Sequence, residues 1–427
     1  MVDFAQDELR LHADPSRVVV RPFQLAWHAS GPDIERVQQL ARDILALDMR
    51  TVRAELSILL RDFGDRHWQI ERVFKERYNQ IEPKLGVAGQ RIRRDTQLLI
   101  GAYFCHEYSY AAAALMNPSV VRHPDQSGLQ PDSVRILLSL RAVGEGHIST
   151  IAFREGIISA GRQLALLPQQ PFATAAMLGK PKARQSVDAV SVYRHAEATI
   201  SGTVIFPMTE AQRNGLEDLR LLEFACDNGQ SEWIGTYTAY SGRDIRSELL
   251  RTHDFRDFTL EPIKGTAARN KGMALFPRKI DGEYVMIGRQ DGKNLFLLRS
   301  AKIDNWDDGT LLLEPRYPWE LVQIGNCGAP IELDEGWLLI THGVGAMRKY
   351  AIGAVLLDKA DPSIVLGRTS NPILSAADED REGYVPNVVY SCGAMRVGED
   401  LFLPYGVADS SVCFAFMAIS DILAAME

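Results

Sequence analysis

Cysteine is scarce and patternless in this sequence. Five occur in 427 residues, Cys105, Cys226, Cys327, Cys392 and Cys413, odd in number and with no CxxC spacing. That argues against a disulfide framework or a cysteine zinc site and predicts reduced thiols in a cytosolic protein. There is no HExxH, no GxSxG and no Walker-type glycine loop, so zincin, serine-hydrolase and P-loop chemistries have no support, and no metal is expected. No run approaches the roughly 18 continuous apolar residues of a membrane span. The opening MVDFAQDELRLHADPSR lacks the basic start and apolar stretch of a signal peptide. Basic residues are outnumbered 47 to 55, a net charge of −8, which gives no general pull towards nucleic acid or anionic membrane. A local basic pocket for a small anion stays open. The expectation is a cytoplasmic protein with neither nucleic-acid nor membrane partners. What is present is ordinary for a globular chain, 46% hydrophobic and 24% charged residues.

The first quarter of the chain is periodic at helical spacing. Ile34, Val37, Leu40, Ala41, Ile44, Leu45 and Leu47 follow the i, i+3, i+4, i+7 rule behind Ser30-Gly31-Pro32. Further helices are predicted from about Thr51 to Asp62, through Trp68, Ile70, Val73, Phe74 and Tyr78 to Pro83, and from about Ala88 to Leu115. Charged faces such as Arg91, Arg93, Arg94 and Asp95 read as solvated helix surface. Residues 1–115 are therefore expected to be a helical extension.

Beyond Pro118 the pattern becomes short alternating runs broken by turn residues. Hairpins turn at Asn228-Gly229, Asp281-Gly282, Glu335-Gly336 and Gly398, whose glycines stand 53, 54 and 62 residues apart. Arg135 to Phe153 forms an earlier, looser unit. Five copies of a four-stranded antiparallel unit predict a mainly β domain over 116–427, a five-bladed β-propeller, with a β-sandwich or solenoid as the alternative. The repeat places Ser241-Gly242-Arg243, Arg289, His342 and Asp409 just past equivalent strands. They read either as one mouth of a central channel or as separate turn residues.

Two constellations could carry chemistry. Asn214-Gly215-Leu216-Glu217-Asp218-Leu219-Arg220 sets two acids beside an arginine at a strand entry, which suits a general acid with a charge partner or a plain turn. Lys271, Arg289 and His342, converging on one mouth, would form an anion pocket; independent surface charges are the alternative. Gly144-Glu145-Gly146-His147 sits in a turn and does not match a nucleotide loop.

In combination these segments resemble glycoside hydrolase family 130, the mannoside phosphorylases and related β-mannosidases. The resemblance runs from about Asn117 to Met426, through NGLEDLR (214–220), KGMALFPRK (271–279), EGWLLITHGV (335–344), GAVLLDKAD (353–361), REGYVPNVV (381–389) and YGVAD (405–409). It implies a five-bladed propeller and an inverting mechanism with one aspartate as general acid and inorganic phosphate as nucleophile. The acid that matches is Asp218. The phosphate ligands map onto Lys271, Arg289, His342 and Tyr350, and sugar contacts onto Asn117, Arg141, Glu145, Glu217, Arg220 and Asp409. The implied activity is phosphorolysis of β-linked mannosides to α-mannose 1-phosphate, or its reverse. The partners would be manno-oligosaccharide and phosphate, phosphate as co-substrate and no cofactor. A β-mannosyltransferase using an activated donor, a β-mannosidase and a non-catalytic glycan-binding propeller are the competing readings, and a homo-oligomer formed through the helical extension stays open. A hydrolase needs a second carboxylate to activate water, whereas phosphate needs positive groups to hold it in line. Two features depart from the family pattern. Leu219 replaces the usual proline after the acid. The segment SLRAVGEGHIST (139–150) differs from the family's basic one, and His147 has no counterpart in it.

Overall fold

The computed structural model describes residues 4–6, 9–23, 27–28, 31–32, 34–67, 69–87, 89–170, 172–180, 188–377 and 382–427. Ser30, Trp68, Ala88 and Arg381, used in the sequence readings, lie outside the described residues. The chain divides into two compact units. One is Ser16–Ser109 with Gln170–Ala175; the other is Met1–Pro15, Tyr110–Gln169 and Ala176–Glu427.

The first unit holds helices α1 (Ile34–Leu45), α2 (Met49–Phe63), α3 (Ile70–Ile81) and α4 (Arg94–Tyr103). Asp48 caps α2 by accepting from the backbone N–H groups of Arg50 and Thr51 at 2.8 and 2.9 Å. The apolar stripes meet in two clusters, one including Val37, Ala41, Ile44, Tyr78, Leu99 and Ile100 and the other Leu56, Ile70, Phe74 and Leu98. Gly101 lets α4 lie close on α3, since a Cβ there would fall 1.9 Å from the Phe74 carbonyl oxygen. The fourth helix is much shorter than its predicted span of 88–115. Cys105–Ser109 leaves it as a strand and pairs antiparallel with Val18–Pro22, so those backbone groups are satisfied across the pair. Pairing with a segment distant in sequence outweighed the helical period there.

The second unit is mainly β. One sheet runs Ala274–Leu275, Tyr284–Gly288, Leu295–Ser300 and Thr310–Leu313 in sequence order. The next runs Gln323–Asn326, Trp337–Val344, Tyr350–Leu357 and Val365–Arg368. The last is built on Val389–Tyr390, Asp400–Val407 and Ser411–Ala418, with Phe4–Gln6 and Leu11–His12 along the outer edge of Ser411–Ala418. Phe4–Gln6 and Leu11–His12 thus run with the sheets, and the first unit ends at Ser109 rather than at residue 115. Two further meanders, Ala114–Arg122 to Ser149–Ser159 and Gly215–Ala225 to Asp257–Pro262, join where Gly215 lies beside Ser149.

The turns at Gly229, Gly282 and Gly398 have φ of 77°, 81° and 61°, the left-handed backbone that glycine supplies without a Cβ clash. The looser unit at 135–153 is offset by one strand. It is the second hairpin of its meander, and its turn Gly144–Ile148 repeats the backbone of Gly345–Lys349. Gly144 and Gly345 have φ/ψ of −103°/−160° and −104°/−162°, and each N–H reaches the carbonyl four residues on, at 3.1 and 2.9 Å. All five cysteines are free thiols. Among the described residues no helix is long and apolar enough to cross a membrane.

Candidate active site

Two β-bulges build the centre of the site. The register of Ala114–Arg122 on its neighbour shifts between Met116 and Ser119, and that of Gly215–Ala225 shifts between Glu217 and Arg220. Asn117 and Asp218 sit in these bulges with φ of 50° and 57°. Asn and Asp tolerate left-handed backbone best among residues with a Cβ, and such positions store about 1–3 kcal/mol of strain each. A bulge re-aims its side chain. Here Asn117 Nδ2 donates to Asp218 Oδ1 at 2.6 Å. Past the bulges Ser119 Oγ donates to the Leu221 carbonyl and accepts from its N–H, both at 3.1 Å, tying the two strands. Leu219 is buried in the core with Leu216, Leu221 and Trp233, close over Gly235. Packing anchors the backbone beside Asp218 where proline would restrict it.

A charged network surrounds this aspartate. Arg141 donates to Asp218 Oδ1 at 3.2 Å and to Glu217 Oε1 at 2.7 Å, and its Nε donates to Ser149 Oγ at 2.9 Å. Lys271 Nζ holds the other Glu217 oxygen at 2.7 Å. Arg220, buried, donates to the Asp218 carbonyl at 3.0 Å and to Asn326 Oδ1 at 2.9 Å. Burial alone would raise the Asp218 pKa, but Arg141, Lys271, Arg220 and the Asn117 hydrogen bond outweigh it and hold the carboxyl at about 2. Asp409 goes the other way. Burial and the Asp218 charge push it up to about 6, against Arg141 and Arg348.

His342 anchors a second cluster. It lies opposite Gly325, where a Cβ would fall 2.2 Å from the imidazole Cε1. Its Nδ1 lies 3.2 Å from the Asn326 carbonyl oxygen, which sets the N–H on Nδ1 and leaves Nε2 as an acceptor. Burial, then Arg289 and Arg220, hold this imidazole well below its usual range, so it is neutral. Its ring stacks on Tyr350 at 6.0 Å and meets Tyr390 edge-on at 4.8 Å. Among the described residues, two buried polar atoms of the site lack a hydrogen-bond partner: the acceptor Asn117 Oδ1 and the donor Arg289 Nε.

The structure thus brings together Asn117, Arg141, Glu217, Asp218, Arg220 and Lys271 by hydrogen bonds. It brings Arg289, His342 and Tyr350 together by charge and ring contacts, and Asp409 by its field. Glu145 lies on the exposed turn that closes the hairpin bearing Arg141. Ser241-Gly242-Arg243 forms a separate exposed turn in a surface hollow with Glu210 and Arg213, so it does not join the cluster. Sequence reasoning missed Asn326 and Tyr390. Asn326 also donates to the Gly272 carbonyl at 2.6 Å, and the Tyr390 hydroxyl accepts from Arg220. The available signal was a polar residue next to the apolar Ile324-Gly325 and Val388-Val389, where burial requires a partner.

Comparison with known proteins fits this geometry. Residues 185–427 match the family model described as glycoside hydrolase family 130, β-1,4-mannooligosaccharide phosphorylase. A β-1,2-mannobiose phosphorylase of Listeria innocua is 34% identical over 230 residues, 52% of this chain and 63% of its own length. A 1,2-β-oligomannan phosphorylase of Thermoanaerobacter is 34% identical over 219 residues, 50% of this chain and 72% of its own length. The match therefore spans just under two thirds of the Listeria enzyme. The solved structure of a Listeria innocua β-1,2-mannobiose phosphorylase, a β-1,2-mannobiose complex, shares the fold with a TM-score of 0.51 at 23% identity, covering 73% of this chain and 92% of that one. The chain belongs to glycoside hydrolase family 130.

Proposed function

We propose that this protein is an inverting phosphorylase of β-linked mannosides, acting on β-1,2-manno-oligosaccharides and yielding α-mannose 1-phosphate, or running the reverse synthesis. The observation that carries this is the pairing of one bulge-mounted acid with a cationic neighbourhood. Asp218 sits beside Arg141 and Asn117, while Lys271, Arg289 and neutral His342 offer donors and an acceptor to an anion. Glu217 is bound on both oxygens by Arg141 and Lys271, which leaves it poorly suited to activate water. Phosphate, already anionic, needs orientation and charge compensation instead. In this reading Lys271, Arg289, His342 and Tyr350 hold phosphate. Asn117, Arg141, Glu145, Glu217, Arg220 and Asp409 hold the mannosyl ring, and Asp218 protonates the departing oxygen. The orphaned acceptor Asn117 Oδ1 suits a sugar hydroxyl, and the orphaned Arg289 N–H suits a phosphate oxygen.

Asp218 is anionic in the ligand-free protein and must gain a proton before it can give one. A bound phosphate offsets the field of Lys271, Arg141 and Arg220 and favours that uptake. The two relatives named as β-1,2-mannobiose and 1,2-β-oligomannan phosphorylases support the linkage. The five meanders further suggest closure into a five-bladed propeller, with Phe4–Gln6 and Leu11–His12 completing its last blade, and the free thiols suit a cytoplasmic enzyme.

The test is incubation of β-1,2- and β-1,4-mannobiose with and without phosphate, scoring mannose 1-phosphate. Phosphate-dependent release of mannose 1-phosphate supports the proposal. Equal turnover without phosphate replaces it with a mannosidase, and oligomer growth from GDP-mannose replaces it with a mannosyltransferase.

A further inference from the structure

Asn326 carries no charge, yet it reaches both the acid and the anion-holding groups. It ends the strand Gln323–Asn326, pairs with Thr341 next to His342, and is 1% exposed. Its side-chain oxygen accepts from Arg220 Nε at 2.9 Å and from the Gly328 N–H at 3.2 Å. Its amide nitrogen donates to the Gly272 carbonyl at 2.6 Å and to the Ile287 carbonyl at 3.5 Å. A carboxamide offers two acceptor and two donor positions, and all four are used. Turned over, it would set its NH2 against two donors and its oxygen against two carbonyls, so one orientation is fixed. A fifth contact comes from its main chain, whose carbonyl accepts from His342 Nδ1 at 3.2 Å.

Three of these contacts lead to groups with a task in the phosphorylase reading. Arg220 is held by Asn326 and by the Tyr390 hydroxyl, and donates to the Asp218 carbonyl at 3.0 Å, inside the bulge that aims the carboxyl. Gly272 follows Lys271, has a left-handed φ of 89° and lies close on Arg220, since a Cβ there would fall 3.7 Å from Arg220 Nη2. From that turn Lys271 Nζ reaches Glu217 at 2.7 Å. His342 keeps its proton on Nδ1 because the Asn326 carbonyl accepts it, which leaves Nε2 as an acceptor. Asp218, Lys271 and His342 stand far apart in the chain, and Asn326 is bonded to each or to its immediate support.

Displacement with inversion depends on spacing. The nucleophile must stand in line with the anomeric carbon, on the face opposite the leaving oxygen. Acid and phosphate holders therefore need one fixed separation, and a misplacement of about 1 Å costs about 10²-fold in rate.

We propose that Asn326 is the positioning residue that sets this separation. It ties the acid side, through Arg220, to the anion side, through the Lys271-Gly272 turn and His342. It acts through these neighbours and touches no reacting atom. The inference rests on the phosphorylase reading and deepens it by naming the part that keeps acid and nucleophile in register.

Initial-rate kinetics with phosphate varied test it, on β-1,2-mannobiose and on β-mannosyl fluoride, whose leaving group needs no proton. Asn326→Ala opens both arms. It is expected to lower kcat about 10²-fold on both substrates and to raise KM for phosphate about tenfold, with KM for mannobiose within about threefold. A defect in proton donation alone would spare the fluoride. Asn326→Asp keeps an acceptor for Arg220 and sets its second oxygen against the Gly272 and Ile287 carbonyls, so it opens the anion arm alone. It should raise KM for phosphate as alanine does while returning kcat to within about tenfold of the parent. A loss confined to mannobiose, an unchanged phosphate KM in Asn326→Asp, or equal rises in KM for phosphate and mannobiose overturn the proposal. If Asn326→Ala does not fold, the phosphate KM of Asn326→Asp decides alone. A parent whose turnover is independent of phosphate overturns the phosphorylase reading itself and takes this inference with it.

Discussion

Replacing Asp218 by asparagine separates proton donation from every other task of that residue. The amide keeps the shape of the carboxyl, and Asn tolerates the φ of 57°. Its oxygen can still accept from Asn117, now at 2.6 Å, and from Arg141, now at 3.2 Å. Arg141 and Lys271 keep Glu217, each at 2.7 Å, so the network loses one charge and no neighbour. Folding and sugar binding should survive. What disappears is a transferable proton, and general acid catalysis contributes about 10²–10⁴ in rate. We expect kcat for phosphorolysis of β-1,2-mannobiose to fall about 10³-fold with KM within about threefold.

The control is β-mannosyl fluoride with phosphate, whose leaving group needs no proton; its turnover should fall less than about tenfold. The pH dependence sharpens the test. With its pKa at about 2, only about one Asp218 in 10⁵ is protonated at pH 7 without ligands. The working acid form must therefore arise in the loaded complex, so the parent's kcat should fall as pH rises through the pKa of that complex, and Asp218→Asn should lack that limb. Equal losses on mannobiose and on the fluoride, or no loss on mannobiose, would refute the assignment of Asp218 as the acid.

Three other outcomes are expected. Lys271→Ala should raise KM for phosphate by at least about tenfold, more than it raises KM for mannobiose; the opposite order in initial-rate kinetics would move Lys271 to the sugar. Gly325→Ala drives a Cβ into the His342 ring and should cost about 1–3 kcal/mol by denaturant unfolding, together with phosphate affinity; unchanged phosphate KM would detach His342 from the anion. Asp409→Asn should trade activity for stability. An aspartate raised to about 6 supports the fold below its unfolded value of 3.8 and loses that support as pH rises through 6. Asparagine carries no such penalty and suits the φ of 50°, so the variant should be more stable than the parent, increasingly from pH 5 to pH 8 and by on the order of 1–3 kcal/mol, with a correspondingly higher Tm, while its turnover falls. A pH-independent difference in Tm would contradict the raised pKa.

The parts of the molecule legible in the sequence were those set by local rules. Helices α1 to α3 follow their apolar period, and the turns at Gly229, Gly282 and Gly398 need left-handed backbone, which marks them as turns. Local rules failed where pairing was distant. Cys105–Ser109 follows a helix directly and becomes a strand because Val18–Pro22, far away in sequence, pairs with it. Phe4–Gln6 and Leu11–His12 join the last sheet for the same kind of reason. In the site, Asp218 was visible as an acid beside Arg220, and Lys271, Arg289 and His342 as scattered cations. The bulges at Asn117 and Asp218 were not visible, since a bulge is a mismatch between two strands and neither strand alone records it. Asn326 and Tyr390 were missed because they are uncharged, and their importance lies in holding Arg220 and His342.

The charge balance of the cluster bears on hydrolysis against phosphorolysis. Arg141, Arg220, Lys271 and Arg289 bring four positive charges. Glu217 and the depressed Asp218 bring two negative ones, and Asp409, raised to about 6, adds a third only above that pH. His342 stays neutral. The cluster is thus net positive inside a protein of net charge −8. Leaving excess positive charge in a buried site is unfavourable unless an anion completes it. A water nucleophile leaves that excess uncompensated and lacks a base, because Glu217 is held by Arg141 and Lys271. Phosphate removes the excess, brings its own nucleophilic oxygen, and by weakening the field at Asp218 moves that carboxyl towards the protonated form it needs. One ligand thereby answers three features of the cluster, and for that reason we read the site as phosphorolytic.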